Sequence, residues 1–268
     1  MVTTNFHTHT VYCDGKDTPE EMVLAAIGKG FTALGFSGHS YYKLEADVSM
    51  PIEREVAYNR EIEELKKKYA DKIQIFRGIE LDYFSGVSNI TYDYIIGSVH
   101  RVFKDGVHCS VDYSAEVSKQ VVDTVYGGDF DGFAEDYFEV VSHVVEKTNA
   151  DIIGHIDLIS KYSETNGYGQ SPRFLAAAER AVEKLVSYGK PFEINTGAMS
   201  RGARSIPYPT KEILTMIYQK GGKIMISSDC HNKDYLDHGF DMAVQLAKDC
   251  GFTEHAVLTE NGMEYFPL

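Results

Sequence analysis

Seven short runs rich in Ile, Phe, Val and Tyr recur along the chain, each followed by a longer stretch of helical character. They are Val2–Phe6, Thr32–Ser37, Ile73–Ile79, Tyr92–Val99, Asp151–Gly154, Pro191–Asn195 and Lys223–Ser228. Unbroken apolar runs of this length suit strands covered on both faces, the condition of a parallel sheet wrapped in helices. The alternation points to an α/β barrel or a doubly wound sheet. Helix starts are marked in the same way along the chain. Thr18-Pro19-Glu20-Glu21 offers a capping Thr, a Pro at the first helical position and a Glu three residues after the cap. Ser171-Pro172 and Thr210 open two further helices, and Gly30, Gly189 and Gly221 punctuate helix ends. After Ser171, Phe174, Ala178, Ala181, Val182 and Leu185 form one apolar stripe, expected to pack on the sheet.

The rhythm breaks once. Residues 101–149 hold two expected helices, around Ser114–Thr124 and Asp131–Thr148, which either cover the mouth of a barrel or pack outside it. There is no Pro/Gly/Ser linker, low-complexity tract or fixed-period repeat, so 1–268 reads as a single domain. The balance of 26 Lys plus Arg against 40 Asp plus Glu leaves a formal charge of −14. Such a surface repels polyanions, so nucleic acid is not an expected partner, and phosphate chemistry requires positive charge concentrated locally. No apolar run approaches the ~18–20 residues of a membrane span. Met1–Phe6 lacks a secretory pattern, and Cys13, Cys109, Cys230 and Cys250 form no Cys-x-x-Cys pair. These features lead us to expect a cytoplasmic protein with buried thiols, away from membranes, as a monomer or small homo-oligomer.

The chemistry sits at the strand ends. His7 and His9 follow the first run, His39 the second, Glu80 the third, His100 the fourth and His155 the fifth; Asp229 and His231 follow the last, with Asp14 close behind the first. A parallel barrel gathers its strand ends around one cavity. Residues two apart in extended backbone share a face, so His7 with His9 and Asp229 with His231 are expected to present pairs. Leaving so many polar groups buried and unneutralised would cost ~1–3 kcal/mol each. Coordination satisfies them together, and a donor set without thiolate suits zinc, manganese or iron. Gly38, Gly97, Gly154 and Ser228 are small enough to let backbone crowd the ions. His108, His143, His238 and His255 lie in helical or connecting segments and are expected to be solvated or packed.

The set His7-Thr-His9, Asp14-Gly15, Phe36-Ser37-Gly38-His39-Ser40, Gly78-Ile79-Glu80, Gly97-Ser98-Val99-His100, Gly154-His155-Ile156-Asp157 and Ser228-Asp229-Cys230-His231 resembles the PHP (polymerase and histidinol-phosphatase) superfamily. Phe6-His-Thr-His-Thr-Val-Tyr-Cys-Asp-Gly is similar to its histidinol-phosphatase branch. The resemblance implies a distorted (β/α)7 TIM-like barrel with three divalent metal ions. His7, His9, Glu80 and Asp229 would hold one; Glu80, His100 and His155 a second; Asp14, His39 and His231 the third. It implies hydrolysis of a small phosphate monoester, L-histidinol phosphate of histidine biosynthesis, by a hydroxide bridging the Glu80-linked metals. Asp229, Glu80 and His231 form the expected catalytic set, with Asp229 orienting the nucleophile or taking its proton. Lys161, Arg201 and Arg204 are the expected phosphate-binding residues, with Arg101 beside them. Asp82, Asp157 and Glu193 are acids available to a substrate amine. A nucleotide, an oligonucleotide or phosphotyrosine is the alternative ester.

Other phosphatase chemistries do not fit. After His108-Cys109, Ala115 occupies the position where a cysteine-phosphatase loop needs Arg. Asp129-Phe-Asp131-Gly132-Phe133 places Phe where an aspartyl-nucleophile motif has Thr or Val, and no P-loop or Gly-x-Ser-x-Gly elbow is present.

Overall fold

The computed structural model describes residues 2–86 and 90–268. Seven strands pair in parallel, neighbours in chain order: β1 (Thr4–Asn5), β2 (Ala33–Phe36), β3 (Gln74–Asp82), β4 (Tyr94–Ser98), β7 (Ile152–Ile153), β8 (Pro191–Asn195) and β9 (Lys223–Ser227). Two antiparallel hairpins stand apart from this sheet, β5 (Arg101–Lys104) with β6 (Val107–Ser110), and β10 (Glu254–Thr259) with β11 (Gly262–Pro267). The strand order never reverses, so there is no switch point of the doubly wound kind. The edges meet beyond β1 and β9, where Thr8 bridges Cys230, His9 N donates to Cys230 O and Cys230 N to His7 O. A nearly closed barrel results.

The helices are α1 (Pro19–Gly28), α2 (Ile52–Lys68), α3 (Ala115–Val125), α4 (Phe130–Val141), α5 (Val144–Thr148), α6 (Ser163–Asn166), α7 (Pro172–Val186), α8 (Gly197–Ser200), α9 (Lys211–Gln219) and α10 (Phe240–Asp249). At α1 the reciprocal cap forms: Thr18 Oγ1 accepts from Glu21 N, and the Glu21 carboxylate accepts from Thr18 N. Ser171 Oγ caps α7 by accepting from the Arg173 and Phe174 amides, and the whole predicted stripe of α7 is buried. Thr210 precedes α9, but its hydroxyl accepts from Gln170 instead of capping the helix. Among the described residues no helix joins β3 to β4, so the strand–helix alternation fails at that step.

The insertion does both things open to it. Its β5–β6 hairpin brings Arg101 and Ser110 to the cavity described below, while α4 packs on α7 at the outside. At the opposite end of the barrel, Ala256, Val257 and Leu258 of β10 join Phe6, Ala33, Phe76, Tyr94, Ile96, Ile152 and Met225 in one buried cluster. Tyr94 fills this interior and donates to Phe6 O at 2.6 Å. Its ring leaves no room on the neighbouring strands, for a Cβ on Gly78 would sit 2.3 Å from it and one on Gly35 would sit 2.4 Å away. Close packing of this kind tolerates no added methyl without displacement.

Candidate metal centre

The nine donors converge at the C-terminal end of the barrel. His7, His9, Glu80, His100, His155 and Asp229 are buried, and Asp14, His39 and His231 are half-buried. Glu80 is the hub. Its Oε1 lies 2.9 Å from His155 Nε2 and 3.5 Å from His100 Nε2. Its Oε2 lies 2.9 Å from His39 Nδ1, 3.2 Å from His7 Nε2 and 3.6 Å from His9 Nε2. Asp229 Oδ1 lies 3.1 Å from His9 Nε2 and 3.8 Å from His7 Nε2. Asp14 lies 3.1 Å from His231 Nε2, 3.6 Å from His9 Nδ1 and 3.9 Å from His39 Nε2.

His7 and His9 reach the centre by the expected alternation. Asp229 does not. It adopts a left-handed backbone at φ 46°, so the Asp229 and His231 side chains arrive through a turn past the end of β9. Asp is among the few residues that accept this conformation readily. Gly197 makes room for it, since a Cβ there would meet Asp229 Oδ2 at 2.8 Å.

His7 Nε2, His9 Nε2, Asp14 Oδ1 and Glu80 Oε2 are buried and, among the described residues, have no hydrogen-bond partner. Six imidazoles and three carboxylates gathered at one point form a donor set that divalent cations of the zinc type satisfy. Among the described residues, donors approach within 4.8 Å in four groups: His9, Asp14, His39 and His231; His7, His155 and Asp229; His7, His9 and Glu80; and His39, Glu80 and His100. His9 therefore stands between the Asp14 group and the Glu80 group. The geometry is less partitioned than the three ligand sets implied by resemblance.

Electrostatics follow the crowding. Burial works against a charged His39, but Glu80 and Asp14 outweigh it and lift the group to about 10. Burial is likewise overcome at His100, where the Asp82 hydrogen bond and Glu80 charge raise it to about 9. His9 is pushed down to about 3 by burial and then by His231 and His39. Against burial, His39 and His7 hold Glu80 well below the usual carboxylate range, and Arg201 and His7 do so for Asp229.

Behind these groups stand partners that the sequence reading placed elsewhere. Glu193 is fully buried: its Oε1 lies 2.6 Å from His7 Nδ1, and its Oε2 accepts from His155 N and Asn195 Nδ2. Asp82 Oδ2 accepts from His100 N and lies 3.2 Å from His100 Nδ1. Asp157 is buried against Arg204, Ser160 and Thr210. None of these three acids lines the cavity, so none is open to a substrate amine. Their positions on β8, β3 and the turn after β7 were visible; their inward orientation was not. Cys13 Sγ, read only as a packed thiol, lies 3.5 Å from His9 Nδ1. Gly97 faces Ala150, Thr148 and Val144, while Gly154 is crowded by Ile96, so these glycines serve packing and not the approach of backbone to an ion.

The open side of the centre is a cavity of about 240 Å³ lined by Lys161 and Arg201, among others. Arg201 Nη2 lies 3.1 Å from Asp229 Oδ2, and Nη1 donates to Asp229 O. Lys161 Nζ pairs with Asp112 Oδ2 at 3.0 Å, and Arg101 with Glu45 at 2.8 Å. Arg204 corrects the expectation for it. Its guanidinium is buried, donates to Ser160 Oγ and stacks on the Tyr208 ring, outside the cavity lining. His108, His143, His238 and His255 lie outside the four donor groups. A larger cavity, about 470 Å³, lies between Lys66, Gln74, Asp93 and Leu258 and contains none of the nine donors.

The chain is 27% identical over 273 residues to a Schizosaccharomyces pombe protein named "Probable histidinol-phosphatase", covering 92% of this chain and 86% of that one. It is 23% identical over 261 residues to the histidinol-phosphatase of Bacillus subtilis, covering 88% and 96%. Its fold is similar, with a TM-score of 0.73 and 21% identity over 97% of this chain and 98% of the other, to histidinol phosphate phosphatase from Lactococcus lactis, solved with zinc, L-histidinol and phosphate. Residues 5–197, which run from the end of β1 through β8 and supply seven of the nine donors, match the PHP domain, and the chain belongs to that family.

Proposed function

We propose that this chain is a metal-dependent phosphomonoesterase that hydrolyses L-histidinol phosphate to L-histidinol and phosphate. One observation carries the reading: a single buried carboxylate, Glu80, ringed by five imidazoles on the floor of a small cavity that also admits Arg201 and Lys161. The Lactococcus lactis complex with zinc, L-histidinol and phosphate supports both the metal and the substrate. In this reading His7, His9, Asp14, His39, Glu80, His100, His155, Asp229 and His231 hold three divalent ions, zinc being favoured over manganese or iron. Bound divalent ions supply positive charge for the phosphoryl oxygens and bring the pKa of water near ~7.

The protein's own groups then divide the remaining work. Arg201 and Lys161, both in the cavity lining, neutralise phosphate oxygens as the bond to the leaving oxygen breaks. Asp229 offers Oδ1 to the proton of the attacking water, while Arg201 steadies its Oδ2. The acidic exterior turns away long polyanions, and the small cavity suits a compact ester. All nine donors come from one chain, so the site needs no second copy. The unpaired cysteines accord with a reducing compartment, the cytoplasm in this reading.

Side-by-side kinetics on zinc-loaded protein test the substrate. Histidinol phosphate should give the highest kcat/KM, by about tenfold or more, against a nucleoside bisphosphate and a phosphotyrosine peptide. A higher value on either competitor overturns the assignment. Arg201→Ala should lower kcat/KM by roughly a hundredfold, as loss of one stabilising donor does elsewhere. Unchanged kinetics would remove Arg201 from the phosphate site.

Metal uptake carries a pH signature. His39 and His100, lifted to about 10 and about 9, hold protons at neutral pH, and a ligand nitrogen must give its proton up. Zinc binding at pH 7 should therefore release protons, and affinity should rise as pH increases. Calorimetry in buffers of different ionisation enthalpy measures the release; a zinc affinity independent of pH between 6 and 8 contradicts it.

A further inference from the structure

Parallel strands exchange evenly spaced amide-to-carbonyl bonds, and β2 and β3 break that pattern just before the metal centre. Their register runs from Ala33 opposite Gln74 to Phe36 opposite Arg77, and it returns unchanged where His39 bridges Glu80. There Glu80 N donates to Gly38 O at 3.2 Å, and Ser40 N donates to Glu80 O at 2.8 Å. The rung that falls between is Gly38 N to Gly78 O. A side chain from α2 occupies it instead: the Tyr58 hydroxyl accepts from Gly38 N at 3.4 Å and donates to Gly78 O at 2.9 Å. A direct bond would hold that nitrogen and oxygen about 3 Å apart, with no room for a third atom. The hydroxyl is therefore a wedge, set one residue before His39 and two before Glu80. Its ring is fully buried and packs edge-to-face on Tyr12 at 5.6 Å, so the wedge is held from behind. On the other flank of β2, Thr8 Oγ1 donates to Gly35 O and Ser37 Oγ accepts from Thr8 N.

We propose that Tyr58 is a positioning residue for the metal centre, its hydroxyl fixing the separation of β2 from β3 and with it the placement of His39 against Glu80. Those two donors stand on directly paired residues, with His39 Nδ1 2.9 Å from Glu80 Oε2. Ligands hold an ion tightly only when groups behind them keep them near its preferred geometry. Glu193 and Asp82 do this for His7 and His100 at their ring nitrogens. Tyr58 does it for His39 and Glu80 through the backbone that carries them. Removing the hydroxyl leaves Gly38 N and Gly78 O unpaired, and the direct bond is the arrangement that satisfies both. The end of β2 then moves toward β3 and takes His39 with it. This rests on the metal-dependent reading of the site and on no property of the substrate.

Tyr58→Phe deletes the wedge and keeps the ring. Competition with a chromogenic chelator should show zinc affinity lowered about 10–100-fold for the weakest-held ion. At limiting zinc kcat should fall and then recover as zinc is raised, with KM within about threefold of wild type throughout. Melting temperatures separate positioning from plain packing, because zinc stabilises the fold only as far as it binds. The rise on adding a fixed amount of zinc to stripped protein should be smaller in Tyr58→Phe than in wild type. Equal rises with equal zinc affinity, whatever the melting temperature of the stripped variant, overturn the proposal and leave the metal reading standing. Replacing Tyr58 by 3-fluorotyrosine retains the hydroxyl and serves where the phenylalanine variant does not fold. Linkage is reciprocal, so a group that sets zinc affinity must itself respond to zinc. The fluorine resonance should shift as zinc is added to stripped protein, and a resonance that ignores zinc overturns the proposal. Wild-type protein that retains no zinc overturns the metal reading itself, and the role of Tyr58 with it.

Discussion

Glu80→Gln is expected to lower kcat/KM on histidinol phosphate by about a thousandfold or more and to strip the protein of most of its zinc. The substitution preserves shape and removes charge. Glu80 Oε1 faces His155 and His100, and Oε2 faces His39, His7 and His9, all within 3.6 Å. A carboxylate can offer a lone pair to cations on both sides at once. An amide offers one oxygen and turns N–H groups toward the remaining imidazoles. Burial magnifies the loss, because water cannot replace the missing charge at a side chain only 1% exposed. Zinc analysis by plasma emission and steady-state kinetics read the outcome. Full zinc stoichiometry in Glu80→Gln would show that the ions are held without the hub, and the proposed centre would have to be redrawn.

Metal removal should have the second largest effect. Dialysis against a strong chelator is expected to abolish hydrolysis, and returning zinc to restore it. Stability should fall as well, because the folded chain assembles the donors and the unfolded chain does not. For metal held a thousandfold above its dissociation constant the linkage is worth about 4 kcal/mol. In a chain of this size that corresponds to a melting temperature lower by about 10 °C. The stripped protein should nonetheless remain folded. Its imidazoles and carboxylates already compensate one another, with His39 and Asp14 charged oppositely around Glu80 and Asp229. Calorimetry of stripped and zinc-loaded samples decides this. Equal melting temperatures with equal activity would exclude a resident metal.

Glu193 tests the layer behind the donors. Glu193→Gln should weaken zinc binding by roughly 10–100-fold, with activity recovering at high zinc, since the carboxylate orients His7 Nδ1 and the His155 amide without facing the cavity. Unaltered zinc affinity would reduce its role to packing.

Much of this molecule was legible in its residues, and the reason is local. The Thr18 capping box, the Ser171 cap and the apolar stripe of α7 depend on neighbours three or four positions away, and each forms as read. The strand ends could be located because apolar runs stop where His, Asp and Glu begin. Features that failed to show depend on distant contacts. Arg204 follows a strand as Arg201 does, yet it turns inward to Ser160 and Tyr208 while Arg201 meets Asp229. The spacing of the two arginines says nothing about which one faces the cavity. Similarly, Glu193 looked like an acid at a strand end, and only the position of His7 on β1 makes it a partner for an imidazole. The β10–β11 hairpin carries no chemistry, and its part in filling the barrel interior appears only once that interior is assembled.

By itself, the order of residues determined that nine nitrogen and oxygen donors would stand at successive strand ends, because alternation and strand length are properties of short segments. Tertiary structure decided which donors meet. Thr8 and Cys230, more than two hundred residues apart, close the barrel and bring His9 against Asp229, and the left-handed turn at Asp229 sets that side chain's angle of approach. It also chose the acids that face the open cavity beside the donors Asp14, Glu80 and Asp229: Glu45, Asp47 and Asp112 in place of Asp82, Asp157 and Glu193. Strand register and burial fix such distances, and those are settled by the packing of the whole barrel and by no single stretch of chain.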